Sequence, residues 1–138
     1  MNRFLSLAGL LVVLWLPCTA NAEAVVPKIN GVIQQQLEAF RKNDFKTAYG
    51  FAHSGIKGQF ALPDFERMVR RGFPQMLRPG AVEFGEIRNE GGNAAVQATL
   101  TGEDGSRSAY LYLLEMEGGE WRITGVVPLE TGPSESLV

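Results

Sequence analysis

Few residue types in this chain can do chemistry, and they are not spaced to do it together. His53 is the sole histidine of 138 residues. Its imidazole is the side chain whose ordinary pKa lies nearest neutrality, as a general base requires. The sole cysteine, Cys18, falls in the first 22 residues, so no cluster of zinc ligands can form. Glu103-Asp104 and Glu115, Glu117 and Glu120 lack the spacing of a calcium loop and read as solvated turn and strand-edge charges. No G-x-S-x-G, P-loop or H-E-x-x-H motif is present. The sequence therefore predicts no catalytic constellation, no metal and no cofactor. His53 is expected to be a polar residue closing a helix.

The arginines are more suggestive. Arg67, Arg70, Arg71 and Arg78 fall within twelve residues. A guanidinium fork matches carboxylate or phosphate geometry, so such a set can converge on an anion. A solvated helix face is the commoner fate of charges spaced this way.

Around these residues the chain divides into three parts. Arg3, the apolar run Phe4 to Leu16, Pro17 and the Ala20-Asn21-Ala22 site read as a cleavable signal peptide over residues 1–22. Thirteen apolar residues are too few to span a bilayer, which takes about 20. Export to the periplasm or medium is expected, with no membrane span after cleavage. Cleavage removes one of the 13 Lys and Arg and none of the 15 Asp and Glu, leaving a formal charge of −3. That balance gives no reason to expect nucleic acid as a partner. The mature chain has no cysteine and so no disulfide. Residues 23–129 suffice for one domain with a single core. Residues 130–138, with Pro133 and two serines, read as a frayed tail.

Within the domain, periodicity changes once. After a short tether, Glu23 to Pro27, the residues Ile29, Val32, Ile33, Leu37 and Phe40 mark one face of a helix. Asp44 is a good N-cap for a second helix with Phe45, Ala48, Tyr49 and Ala52 inward, ended by Ser54-Gly55. A third starts at Pro63, faces Phe65, Met68, Val69 and Gly72 inward, and stops before Pro74.

From Ala81 on, turn signals at Gly91-Gly92, Asp104-Gly105 and Gly118-Gly119 separate four strands of an antiparallel meander. The last hairpin organises the rest. With Gly118-Gly119 as its turn, Glu115 faces Arg122, Leu114 faces Ile123 and Met116 faces Trp121. One face then carries Tyr110, Tyr112, Leu114, Met116, Trp121, Ile123 and Val127. Ala94, Val96, Ala98 and Leu100 suit those tyrosines best as neighbours, which requires an odd-length loop or bulge near residues 102–106. The other face carries Ala109, Leu111, Leu113 and Val126, too apolar for a solvated surface, and predicts a homodimer through the sheet backs. Helices first and strands afterwards give an α+β domain, three N-terminal helices packed on a curved four-stranded antiparallel sheet.

The stretches VIQQQLEAFRKNDFKTAYGFAHSGIKGQF, FERMVRRGFPQMLRPGAVEF and EWRITGV resemble the uncharacterised bacterial family known as domain of unknown function 4864. The resemblance runs over about residues 29–127. It implies a cystatin-like α+β cone of the nuclear transport factor two and ketosteroid isomerase group, in small exported proteins with no assigned activity. Arg70 and Arg78 match the family's M-V-R and R-P positions and are the candidate anion contacts. Where the family tends to have threonine before the third helix, this chain has Leu62, which should weaken that helix start by about 1 kcal/mol. In cone folds the ligand cavity lies between helices and sheet. Tyr49, His53, Met68, Phe73, Tyr110, Tyr112 and Trp121 are the candidates to line it. The expected function is a non-catalytic module binding a small apolar or weakly anionic ligand, or a partner protein. An isomerase, dehydratase or hydrolase in the same cavity is the alternative, and a structural homodimeric assembly module is the third reading.

Overall fold

In the computed structural model, residues 20–130 are described. The expected signal peptide and tail therefore lie outside them, apart from residues 20–22 and Glu130. Four α-helices come first: α1 (Ala20–Arg41), α2 (Phe45–Gly50), α3 (Ser54–Gln59) and α4 (Leu62–Gly72). A 3-10 turn, Pro74–Leu77, leads into β1 (Ala81–Glu90), β2 (Asn93–Thr101), β3 (Arg107–Glu117) and β4 (Glu120–Leu129). The strands form one antiparallel sheet in the order β1-β2-β3-β4. The molecule is thus α+β, a helical layer on a four-stranded meander.

α1 begins before the expected tether, which is helical and contains Pro27 inside the helix. Its stripe Ile29, Ile33, Leu37 and Phe40 is at most 3% exposed. The helix ends at Arg41 and is stopped by Asn43, whose φ of 61° is left-handed. There the Asp44 N–H donates to the Ala39 carbonyl and the Asn43 N–H to the Phe40 carbonyl, the paired bonds of a Schellman stop. The Asp44 carboxylate then caps α2 by accepting the Thr47 N–H at 3.1 Å.

The second expected helix is shorter than its period, and a further helix, making four among the described residues against three expected, begins at Ser54 where it was expected to end. α2 stops at Gly50 with Phe51 as its C-cap, still in αR geometry; the chain is extended at His53, and α3 starts at Ser54. The cause lies in the sheet: the Ile123 N–H donates to the Phe51 carbonyl and the His53 N–H to the Ile123 carbonyl, each at 2.9 Å. A strand edge with free N–H and C=O groups is covered by this short parallel pairing of Ala52 with Ile123. α4 starts at Leu62, its N-cap Ala61 making no side-chain bond. Phe65 and Val69 are buried, whereas Gly72, expected inward, is exposed.

The sheet keeps its inner face by three adjustments. Gly91-Gly92 and Gly118-Gly119, all at positive φ, close two-residue turns. Residues 102–106 form a five-residue loop, so Val96 pairs with Tyr112 and Ala98 with Tyr110, as the alternation required. β1 bulges between Phe84 and Ile87, which returns Ile87 to the inner side. β4 carries a second bulge: Leu114 pairs with Ile123 but Leu113 with Gly125, leaving Thr124 unpaired.

That bulge corrects the expected faces of β4. Val126 pairs with Tyr112 and turns inward, while Val127 pairs with Leu111 and is 45% exposed on the outer side. Met116 keeps its pairing with Trp121 but is 39% exposed at the hairpin end. The core between the layers joins the α1 stripe to Phe65, Val69, Met76, Val96, Leu100, Tyr112, Leu114 and Ile123. Among the described residues no helix is long and apolar enough to cross a membrane.

Candidate functional site

Beneath the helices the two layers fail to close. A cavity of about 210 Å³ opens between α1, α3, α4 and β4. Its floor is made of buried side chains, Phe40, Ala52, Phe65, Val69, Met76 and Ile123. Half-buried Ile56, Phe60, Met68, Phe73 and Val126 form the rim. The β4 bulge supplies Val126, and the break at residues 51–53 supplies Ala52. No titratable group lines the cavity. Its one polar side chain is Gln36, 3% exposed, whose Nε2 donates to the Ala48 carbonyl at 3.2 Å.

Gln36 is absent from the sequence-based candidates, although the signal existed. It falls between Ile33 and Phe40 on the buried stripe of α1, where a polar residue interrupts an apolar series.

Of the candidates read from sequence, only Met68 and Phe73 reach the cavity. The Tyr49 hydroxyl donates to the Phe60 carbonyl at 2.6 Å. Tyr110 donates to Gln75 Oε1 at 3.2 Å, and burial pushes its pKa up. Tyr112 is wholly buried with its hydroxyl 3.7 Å from Met76 Sδ; burial, helped by neighbouring Tyr110, pushes its pKa far up. Trp121 faces an open groove of about 590 Å³ against the start of α1.

His53 caps α3, its Nδ1 accepting the Gly55 N–H at 3.0 Å. Nε2, left as the protonated nitrogen, lies 2.9 Å from Glu117 Oε2 and 4.0 Å from Glu115. The Ser54 hydroxyl also donates to Glu117 at 2.6 Å. That bond above all, with the Ser54 N–H and the nearby Lys57 charge, holds the Glu117 carboxyl below its ordinary value. Serine and histidine meet here on the carboxylate rather than on each other, so the serine has no base to activate it. The cluster fastens the α2–α3 junction to the hairpin. Among the described residues no group of three His, Cys, Asp or Glu is placed to hold a metal.

The candidate anion contacts do not meet. Arg70 pairs with Glu66 at 3.0 Å, donates to Asn43 at 2.9 Å and stacks 4.6 Å above the Phe45 ring. Arg78 lines a separate polar cleft with Gln75, Glu103, Asp104, Ser106 and Ser108. Leu111 and Leu113 lie on the outer sheet face, and Val126 does not join them.

A crystal structure of an NTF-2-like protein of unknown function from Shewanella oneidensis MR-1 superimposes with a TM-score of 0.53. It is 16% identical, and the match covers 77% of this chain and 99% of that one. At that identity the likeness shows a shared NTF-2-like fold. No curated protein matches the chain. The family described as "Domain of unknown function (DUF4864)" matches residues 22–135, and the chain belongs to it.

Proposed function

We propose that this chain is an exported, non-catalytic binding module that holds a small apolar molecule in the cavity between α1, α4 and β4. The observation that carries this is the half-open cavity of about 210 Å³, walled by apolar side chains around a single buried amide. Pockets of this make, mostly apolar with few polar groups, are the usual form of a small-molecule site. Acid–base catalysis needs a titratable group within reach of the substrate. None lines this cavity, so the isomerase, dehydratase or hydrolase reading has no residue to rest on here. The weakly anionic ligand loses its support in the same way, because Arg70 and Arg78 point elsewhere. Export rests on the signal-peptide pattern of residues 1–22.

Thermal unfolding with and without a sparingly soluble aromatic hydrocarbon tests the cavity. Binding to the native state alone should raise the Tm by several degrees near saturation. Val126→Phe, which fills the rim, should abolish the rise. No shift in the native chain would overturn the reading.

The outer sheet face supports a second reading, a homodimer. Leu113 and Val127 are 36% and 45% exposed there, beside half-buried Leu111 and Leu129. The Glu83–Arg107 ion pair stands at one end, and Glu115 opposite Arg122 at the other. An apolar centre with both charge signs at its rim is complementary to a second copy of itself.

A further inference from the structure

Gln36 offers more hydrogen-bonding capacity than the fold uses. A carboxamide offers two N–H donors and an oxygen with two lone pairs. One N–H is used, on the Ala48 carbonyl. That carbonyl does not depend on it, since it also accepts the Phe51 N–H at 3.2 Å. Methionine or leucine at this position would continue the stripe of Ile29, Ile33, Leu37 and Phe40 and leave no backbone group unpaired. Among the described residues nothing hydrogen-bonds Gln36 Oε1, and the side chain lines the cavity floor. The amide oxygen, open to the cavity, is left for water or a ligand to complete.

We infer that Gln36 reads one hydroxyl on an otherwise apolar, neutral ligand, an aromatic or aliphatic alcohol. A hydroxyl both donates and accepts, so it can bond Oε1 and the remaining N–H together. A cavity of about 150 Å³ holds benzene, so about 210 Å³ admits roughly eight or nine non-hydrogen atoms. No cation lines the cavity to neutralise a carboxylate, which would have to shed its water at the amide oxygen. The inference rests on the cavity being a binding site, as proposed above.

Three probes of matched shape separate the outcomes: 2-phenylethanol, propylbenzene and phenylacetate, titrated against the whole chain and its Gln36→Met variant. The substitution should weaken 2-phenylethanol roughly tenfold and leave propylbenzene as tight or tighter. In the native chain the Gln36 side-chain amide proton should move downfield with the alcohol and not with propylbenzene, a readout independent of how the variant folds. Equal changes for both probes, or none, would overturn the role of Gln36 while leaving the cavity as a site. Failure of all three to bind the native chain would overturn the cavity reading itself. Tightest binding by phenylacetate would also overturn the inference, and would put the head group outside, near Arg67 and Arg71, which share Phe60 and Met68 with the cavity rim.

Discussion

Tyr112 carries its hydroxyl to a place where water cannot reach it. The side chain is wholly buried, and among the described residues its hydroxyl bonds the thioether of Met76 at 3.7 Å, a weak acceptor. A phenolate there would have neither solvent nor a strong donor, so burial, with Tyr110 adding to it, raises the pKa far above the ordinary value of 10.0. The sign of the linkage follows. The folded state keeps a proton that the unfolded state gives up, so this stability is complete below pH of about 10 and lost as pH rises beyond it. Urea midpoints should be level from about pH 7 to 9 and fall above about 10. Tyr112→Phe keeps the ring volume and gives up only a weak bond. It should unfold almost as wild type at pH 7 and lose part of the alkaline fall, Tyr110 supplying the remainder. An unchanged alkaline limb in the variant would sink the assignment.

Among the elements, the junction between α2 and α3 does the most to shape the cavity. It lies along the edge of β4 through the two backbone bonds at Ile123, and Glu117 holds it from the hairpin end by accepting from Ser54 and His53. Chiefly the Ser54 hydroxyl bond keeps the Glu117 carboxyl below its ordinary value. A lowered pKa means the contact is fully present above the unfolded carboxylate value, about 4.3, and is lost as pH falls through the folded one. The Ser54 amide resonance should therefore titrate with a midpoint below the ordinary glutamate value. Glu117→Gln should remove that titration and leave the Tm at neutral pH within a few degrees, as expected for a solvated contact. A Ser54 amide insensitive to acid would show that the clasp does not form in solution.

This same junction marks how far the sequence was legible. The sheet register was, because Gly118-Gly119 sets the last turn and the inward tyrosines demand an odd loop at residues 102–106. Those signals are local or follow from strict alternation. The break at Phe51 was not, because Phe45, Ala48, Tyr49 and Ala52 continue a helical period straight through it. What ends the helix is a strand edge some seventy residues downstream. The bulge at Thr124 gave no local sign either, and it exchanged Val126 for Val127 on the outer face. The cavity is built from those two irregularities, which is why Met68 and Phe73 on regular α4 and its cap were found while Ala52 and Val126 were not.

At the scale of the molecule, one surface lacks a partner. β1 and β2 turn polar side chains outward, Glu83, Gln97 and Arg88 among them, whereas the outward side of β3 and β4 is Leu111, Leu113, Val127 and Leu129. Helices cover the inner face alone, so nothing within the described residues shields this stripe. A second copy related by a two-fold axis would bring stripe against stripe and set each mixed-charge rim near its counterpart. A stable contact of this kind buries about 800 Å² on each partner. Sedimentation equilibrium should give a dimer at tens of micromolar. Leu113→Lys should give a monomer with wild-type circular dichroism, since an exposed lysine is solvated in the monomer and must be desolvated without a partner charge in the dimer. Wild-type chain that stays monomeric at that concentration would remove the dimer. A lysine variant that still pairs would move the contact to another surface, such as the groove between α1 and Trp121.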